Sequence, residues 1–552
     1  MTQEHTRSTA GADDRMSQAS LTLMLGSLFA ALWMSLLLFV VSSPYLREAL
    51  RLKSVVEAVA AEYSGEWDTS DMFENAAAEL YGKLDRYSGY MPQTRFHQVD
   101  EELSGFYAGI GVSILSTEDG LLVAGVNKNG PARAAGVLIG DLLTAANGVD
   151  LVGRSTLDAS LVLRGETDDT VAVTLKRPVG LPGIHINGSS TDSLKSLKYD
   201  TLSVSIVRAS VPLEHIPYIG ETDSAALYVR LYDFEAGAFD EFTHLYDSLR
   251  ELGRDYRGII LDLRGNPGGL LSEALQFADF FLEDDILMLG KKGRSRWSRQ
   301  EFYSSGDDET DGAPLAILLD RGSASASEVF AGALKYAGRA TLVGDTTFGK
   351  GLVQSYRPFS DGSASRLTIA RYYFSGEVYL NKPGAADVDS GAGIPPDVYF
   401  TSDGDGSFVG ALERALLIYE FTARAQERII ELYNADDTAA LIREFSEFVS
   451  ATDFTYQSRT LAGAHDLYFW TRLGNEPDSA GRIAQEIVRR AGQQEADLFG
   501  LFAPALVRRL ASRALERRDG DQAAFTHVLM KADPGIRRAE AVLRTKAAPA
   551  GA

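Results

Sequence analysis

The stretch PLAILLDRGSASASEVFAGAL, residues 314–334, runs from an unbroken apolar segment through three serines at alternating positions into a second apolar pattern. An apolar run bounded by Pro314 and Asp320 is the pattern of a strand buried on both faces, whereas EVFAGAL continues at helical spacing. The same succession occurs upstream, where RGIILDL (257–263) leads through RGNPGG (264–269) into LLSEALQFADFFL (270–282). Downstream, ATLVGDTTFGKGLVQSYRPF (340–359) reads as two strands joined by a glycine-rich turn. Alternating strands and helices of this kind predict an α/β domain over residues 211–400.

The character of the chain changes on both sides. Residues 105–210 alternate short β-rich runs with Gly and Asn turns, with PARAAGV (131–137) as one short helical run, so a β-rich domain is expected there. Two of its strands, TVAVTLKR and DTLSVSIVR, are separated by a polar insert at 178–199. Residues 45–104 carry apolar side chains at helical spacing and include LDRYSGYM (84–91), with Gly89 as a turn residue. Beyond residue 400, FVGALERALLIYEFTARAQERIIELY and RIAQEIVRRAG predict a helical C-terminal extension over 401–552, ending in a polar, frayed RTKAAPAGA. Self-association, partner docking and a structural cap are all open for it. The whole reads as an α/β multidomain protein.

After a polar tail at 1–20, LTLMLGSLFAALWMSLLLFVV (21–41) gives 21 residues without a charge. A helix of that length crosses a hydrocarbon core of roughly 30 Å. Val-Ser-Ser-Pro at 41–44 is a poor cleavage site, so an uncleaved N-terminal transmembrane helix is expected in preference to a removed signal peptide. Arg7 and Arg15 precede the run and Arg47, Arg51 and Lys53 follow it, which leaves the orientation open. A formal net charge of −22 argues against a nucleic-acid partner, and the absence of cysteine excludes disulfides and thiol catalysis.

A hydroxyl nucleophile needs a base within hydrogen-bond reach and donors for the oxyanion. None of the seven histidines lies in a motif beside the serines, so a Ser-His-Asp triad is left to the fold. Lysine serves as base when burial lowers its pKa. Lys350, in DTTFGKGLVQ (345–354), has apolar flanks and a nearby amide, and Gly349 and Gly351 let the backbone approach another segment. A surface lysine in a turn is the other reading. Gly344–Lys350 also fits the first seven positions of a phosphate-binding loop, but Gly351 stands where Ser or Thr is required and a strand follows in place of a helix. No His/Asp/Glu cluster has the spacing of metal ligands, and no cofactor is called for.

SASASE after a strand, Lys350 in TFGKG, Gln354 four residues later and the upstream LDLRGNPGG together resemble the catalytic domain of the C-terminal processing peptidases, or tail-specific proteases. LTIARYYFSGE (367–377), GIPPDV (393–398) and LDRYSGYM extend the match. Residues 105–210 resemble a PDZ domain through Gly109-Ile110-Gly111-Val112, Gly130–Gly136, Gly140-Asp141, Asn147-Gly148 and Leu163-Arg164-Gly165. The resemblance implies an α/β protease core of the ClpP/crotonase-like type in a membrane-anchored serine endopeptidase. It would select protein substrates by their C-terminal tails and cleave them through a Ser/Lys dyad. Ser325 corresponds to the nucleophile, Lys350 to the general base and Gln354 to the residue that orients the lysine. The N–H groups of Gly268 and Ala326 correspond to the oxyanion hole, at a helix start suited to negative charge. Gly109, Ile110, Gly111 and Val112 mark the loop whose backbone would hold a terminal carboxylate. Ser323 and Ser327 are then left to shape the turn or cap the helix. Arg264 has two readings, shaping its turn or pairing with a nearby acid. With the anchor, the resemblance implies a single-pass protein of the inner (cytoplasmic) membrane whose catalytic domain is periplasmic or extracytoplasmic, and it is compatible with a homo-oligomer. The competing reading is a catalytically inactive anchored scaffold that binds peptides or other ligands; retention of Ser325, Lys350 and Gln354 weighs against it.

Overall fold

The computed structural model describes residues 24–35, 42–66, 68–104, 106–179, 199–253, 256–380, 393–400, 408–452, 498–520 and 533–547, with isolated positions between 454 and 530. Residues up to Ala76 form one compact unit and those from Ala77 onward a second. In the first, α1 (Pro44–Glu62) opens with Pro44 behind Ser43, whose hydroxyl accepts from Leu46 N; α2 (Thr69–Gly82) begins there and ends in the second. Proline suits this position because its missing N–H would have no intrahelical partner.

The expected transmembrane helix is not upheld. Of residues 21–41, only 24–35 are described, as a helix of twelve residues, while 21–23 and 36–41 lie outside the described residues. Among the described residues no helix is long and apolar enough to cross a membrane. The single-pass inner-membrane placement, and the periplasmic position of the catalytic domain that followed from it, lose their basis with it.

The second unit begins with β1 (Gly89–Met91), a strand within LDRYSGYM too short for periodicity to reveal, and α3 (Gln93–Ser104). The β-rich domain comprises β2 (Phe106–Gly109), β3 (Val112–Thr117), β4 (Gly120–Val126), α4 (Pro131–Ala134), β5 (Leu142–Ala146), β6 (Val149–Asp150), α5 (Thr156–Leu163), β7 (Thr170–Pro178), β8 (Tyr199–Val207) and β9 (Ala209–Pro212). Its sheet runs β3-β4-β5-β7-β8, with β6 on β5 and β2 paired to β9. Val171, Val173 and Leu175 point alternately inward from β7 onto Leu121, Val123 and Leu143, as a strand with one buried face requires. The polar insert lies mostly outside the described residues.

The α/β domain contains β10 (Tyr218–Glu221), β11 (Leu227–Arg230), α6 (Ala238–Glu251), β12 (Ile259–Asp262), α7 (Leu271–Asp279), β13 (Leu287–Gly293), β14 (Gln300–Tyr303), β15 (Leu315–Leu319), α8 (Ala326–Tyr336), β16 (Ala340–Gly344), β17 (Leu352–Pro358), β18 (Ala364–Phe374), β19 (Val378–Tyr379) and β20 (Val398–Tyr399). Its main sheet has the order β10-β11-β12-β15-β16-β20, parallel from β11 onward. A second sheet, β1-β18-β13-β14 with β17 and β19 on β18, lies beside it in the same domain.

Six helices of the extension are described: α9 (Phe408–Arg414), α10 (Leu417–Asn434), α11 (Thr438–Ser450), α12 (Leu498–Leu501), α13 (Ala503–Asp519) and α14 (Pro534–Ala547). RIAQEIVRRAG lies largely outside the described residues, and Arg544–Ala547 of the expected frayed end belong to α14. Phe421, Phe445, Leu506 and Leu510 build a core of its own. At one end the extension meets the β-rich domain: Tyr419 packs with Leu122, Ile139 and Leu142, and Arg133 donates to the Arg517 and Arg518 carbonyls at 3.3 and 2.8 Å. At the other, Ile536, Ala539 and Leu543 of α14 cover Ile260, Ala316, Leu318 and Val343 on one face of the main sheet. Leu261, Ile317 and Leu319 face the opposite way, onto α6, α7 and α8. Burial on both faces is why β12 and β15 read as continuous apolar runs.

Candidate active site

Strands β12, β15 and β16 lie side by side, pairing Ile259 with Leu315 and Leu315 with Ala340, so their carboxyl ends open on one edge. Ligand sites in open α/β sheets gather at such edges. The turn 263–270 leaves β12, the serine turn 320–325 leaves β15, and the loop 345–351 carrying Lys350 leaves β16. Three segments far apart in sequence thus converge for topological reasons.

The three serines separate cleanly in role. Ser323 and Ser327 are fully buried and bonded to the neighbouring turn, Ser323 Oγ donating to Leu263 O at 2.8 Å and Ser327 Oγ to Asn266 Oδ1 at 2.8 Å. Ser325 is partly exposed, directly before α8, with φ 56° and ψ −114°. A non-glycine residue held in that region stores strain, which persists where surrounding structure over-determines it. Ser325 N donates to Glu328 Oε2 at 2.9 Å, and Ala324 N to Asn266 O at 3.0 Å.

Glu328 is fully buried on the first turn of α8. Its carboxylate also accepts from Thr347 Oγ1 at 2.6 Å, Gly349 N at 2.7 Å and Lys350 N at 2.8 Å. Ser325 N and Lys350 N therefore share one oxygen. Burial pushes the Glu328 carboxyl above the ordinary glutamate value, opposed by the hydrogen bonds from Thr347, Gly349, Ser325 and Lys350. Burial and then the Arg366 guanidinium pull the Lys350 amine below the ordinary lysine value, against the Glu328 carboxylate. That direction suits a base. The amine lies 5.7 Å from the centroid of the Tyr87 ring. Tyr87 is held there by Asp85, which accepts from Tyr87 N at 2.8 Å and Ser88 N at 2.7 Å and from Thr368 Oγ1 on β18 at 3.2 Å.

The remaining expected residues lie nearby in a looser arrangement. Among the described residues, no hydrogen bond joins Ser325 Oγ to Lys350 Nζ, and Gln354 Nε2, beside a bulge between Val353 and Gln354 on β17, is buried without a partner. Gly268 (φ 104°) approaches so closely that a Cβ there would lie 2.8 Å from Ala326 N and 2.9 Å from Ser325 Cβ. Its N–H donates to Asn266 Oδ1 at 2.9 Å. Ala326 N is a first-turn helix amide, free of any intrahelical acceptor. In the β-rich domain, Gly109 ends β2, Val112 begins β3, Ile110 is buried and its carbonyl accepts from Ala132 N at 2.8 Å, and Gly111 has φ 79°. Among the described residues no group of three His, Asp or Glu side chains is arranged to hold a metal ion.

Comparison with known proteins gives this geometry its context. The pattern of peptidase family S41 matches residues 225–400 and that of the PDZ domain residues 108–192. The carboxy-terminal-processing protease of Bartonella bacilliformis is 30% identical over 64% of this chain and 75% of its own length. The chain belongs to the carboxy-terminal-processing proteases of family S41. The carboxyl-terminal-processing protease of Picosynechococcus is 32% identical, over 55% of this chain and 69% of its own. Among solved structures, a photosystem II D1 C-terminal processing protease is 26% identical, with a TM-score of 0.37 over 62% of this chain and 85% of its own. This protease is accordingly a serine-type peptidase with a PDZ domain and an α/β core, and its PDZ domain serves peptide binding.

Sequence reasoning passed over four residues of the site. Glu328 had a local signal, since Ser-x-x-Glu before an apolar run is a capping-box pattern. Asn266 bridges two turns, and Tyr87 and Arg366 flank the lysine from segments remote in the chain. For these three, no spacing in the protease sequence points at Lys350 or Ser325.

Proposed function

We propose that this protease cleaves peptide bonds through Ser325 and Lys350 on substrates captured by their C-terminal tails, with residues 105–210 as the PDZ domain, 211–400 as the catalytic domain and 401–552 as the extension. The observation that carries the reading is the shared Glu328 oxygen, at 2.9 Å from Ser325 N and 2.8 Å from Lys350 N, beside a partly buried amine of depressed pKa. Lys350 Nζ, as the neutral amine, takes the Ser325 hydroxyl proton while Oγ attacks the scissile carbonyl. The oxyanion is held by Ala326 N–H and by Gly268 N–H, which exchanges its bond to Asn266 for one to substrate. Lys350 then returns the proton to the leaving amine as the C–N bond breaks. In the second half it takes a proton from water, which attacks the acyl ester, and gives it back to Oγ. Gln354 orients the amine. Catalytic hydrogen bonds of free enzymes commonly tighten only with substrate, and the unpaired Gln354 amide and the amine beside Tyr87 fit such a resting arrangement. The tail carboxylate is held by backbone N–H groups of Gly109–Val112.

The test is proteolysis by the full chain, by Ser325→Ala and by Lys350→Ala of one unfolded substrate with either a free or an amidated apolar C-terminus. Cleavage lost in both variants and weakened by amidation is expected. Cleavage that survives either variant rejects the dyad, and equal rates on the two substrates reject recognition through the terminal carboxylate.

A further inference from the structure

The extension lies beyond both regions that match known families, yet its last helix reaches the catalytic edge. Asp533 directly precedes α14 and caps it, accepting from Gly535 N at 2.8 Å and Ile536 N at 3.0 Å. The same carboxylate accepts from Arg264 Nη1 through both oxygens, each at 3.1 Å. Arg264 is the first residue of the RGNPGG turn. The rest of its guanidinium donates to Asp262, Nε at 2.9 Å and Nη2 at 2.5 Å, and its own backbone N does so at 3.0 Å. Its carbonyl accepts from Arg230 Nη2 at 2.5 Å, and the next amide, Gly265 N, donates to Asp320 Oδ1 of the serine turn at 2.8 Å. Burial alone would raise Asp262, but Arg230 and Arg264 outweigh it and hold the carboxyl well below the usual carboxylate range. Both readings of Arg264 therefore hold: it pairs with acids and, through them, fixes its turn.

We propose that Asp533 is a positioning residue for the peptidase reaction: acting through Arg264, it holds the turn 265–268, and with it the Gly268 N–H, in register with Ser325. Docking of α14 does not require this pair, because Ile536, Ala539 and Leu543 already bury that helix against the sheet. A partly buried ion pair adds little net stability over apolar packing, whereas its two-oxygen contact fixes geometry. Gly535 keeps the contact open: a Cβ there would lie 3.0 Å from Arg264 Nη1. The proposal rests on Gly268 as an oxyanion donor.

The test uses the full chain and a short internally quenched peptide, with peptide boronic acid as a second probe, since its tetrahedral serine adduct presents an oxygen where the oxyanion forms. Asp533→Asn keeps an oxygen to cap α14 and removes the charged second acceptor. A roughly tenfold fall in kcat with KM unchanged, and a matching loss of boronate affinity, is expected, because displacing a donor costs less than deleting one. Arg544→Ala breaks another polar link of the helix, Arg544 Nη2 to Ser224 Oγ at 2.6 Å, and should keep wild-type kcat. If Asp533→Asn fails to fold, Gly535→Ala, whose Cβ would lie 3.0 Å from both Arg264 Nη1 and Asp533 Oδ1 and so crowd their contact while both charges stay, should give the same selective loss. Wild-type kcat in the folded variant, or equal losses in the Asp533 and Arg544 variants, overturns the proposal. Ser325→Ala runs alongside: activity surviving there rejects the dyad itself, whereas an inactive Ser325→Ala with a fully active Asp533→Asn rejects only the role of Asp533.

Discussion

Glu328→Ala removes the carboxylate to which the backbone amides of Ser325 and Lys350 are both bonded. It deprives four donors of their acceptor: the backbone amides of Ser325, Gly349 and Lys350, and the Thr347 hydroxyl. Taking ~1 kcal/mol for each, the low end for a buried donor because the emptied space admits water, gives about 4 kcal/mol. For a domain of this size that is a fall in Tm of roughly 8–16 °C. Catalysis should suffer more, since freeing the 345–351 loop by about an ångström costs on the order of a hundredfold in kcat. Glu328→Gln discriminates between bulk and geometry. Its single oxygen can stay with Ser325 and Lys350 while its NH2 takes the other place, so the Thr347 hydroxyl and Gly349 N lose their acceptor, at about 2 kcal/mol together. The assay is steady-state cleavage of an unfolded substrate with a free apolar C-terminus, together with thermal unfolding and amide exchange at Gly349 and Lys350. A Glu328→Ala enzyme with kcat within twofold of wild type, or a Glu328→Gln enzyme as damaged as Glu328→Ala, would refute the tether.

Lys350 sits below the ordinary lysine value through burial and Arg366, so the rising limb of kcat/KM with pH should shift to higher pH in Arg366→Met; an unchanged limb denies the coupling. The same depression means the unfolded chain binds the proton more tightly than the folded one, a cost complete below the folded pKa and relieved as pH rises toward the unfolded value. Lys350→Met should therefore raise Tm more at pH 7 than at pH 10. For His215, burial opposes protonation, but Asp233, 2.6 Å from Nδ1, outweighs it and raises the pKa. Its stabilising effect is complete below the unfolded value of about 6.5 and is lost as pH rises through the folded one, so His215→Gln should lower Tm at pH 5 more than at pH 9. Gly269, with φ 150°, would place a Cβ 2.4 Å from the Phe234 carbonyl, so Gly269→Ala should cost about 3 kcal/mol or more in denaturant unfolding. Gly312→Ala, at φ 73° with open space around it, should cost no more than about 1 kcal/mol.

Much of the catalytic edge was legible because its signals are local. PLAILLD and RGIILDL announce strands buried on both faces, and the glycines after them announce turns, since few other residues take those backbone angles. The order of SASASE, TFGKG and LDLRGNPGG singled out Ser325 and Lys350 through its resemblance to the C-terminal processing peptidases. Hydropathy misled at the N-terminus, where 21 uncharged residues suggested a span and no described helix is long and apolar enough to make one.

What the sequence by itself determined, then, is the inventory: which segments are strands, where the turns fall, which serine and which lysine stand at conspicuous positions. The tertiary structure decided what those groups touch. That Glu328 binds the amides of both Ser325 and Lys350, that Tyr87 and Arg366 flank the amine, and that Asp533 reaches Arg264 from 269 positions away all depend on how β12, β15 and β16 align and on α14 covering the sheet. Contacts of that kind arise from packing between elements, and propensity and periodicity report only on neighbours along the chain.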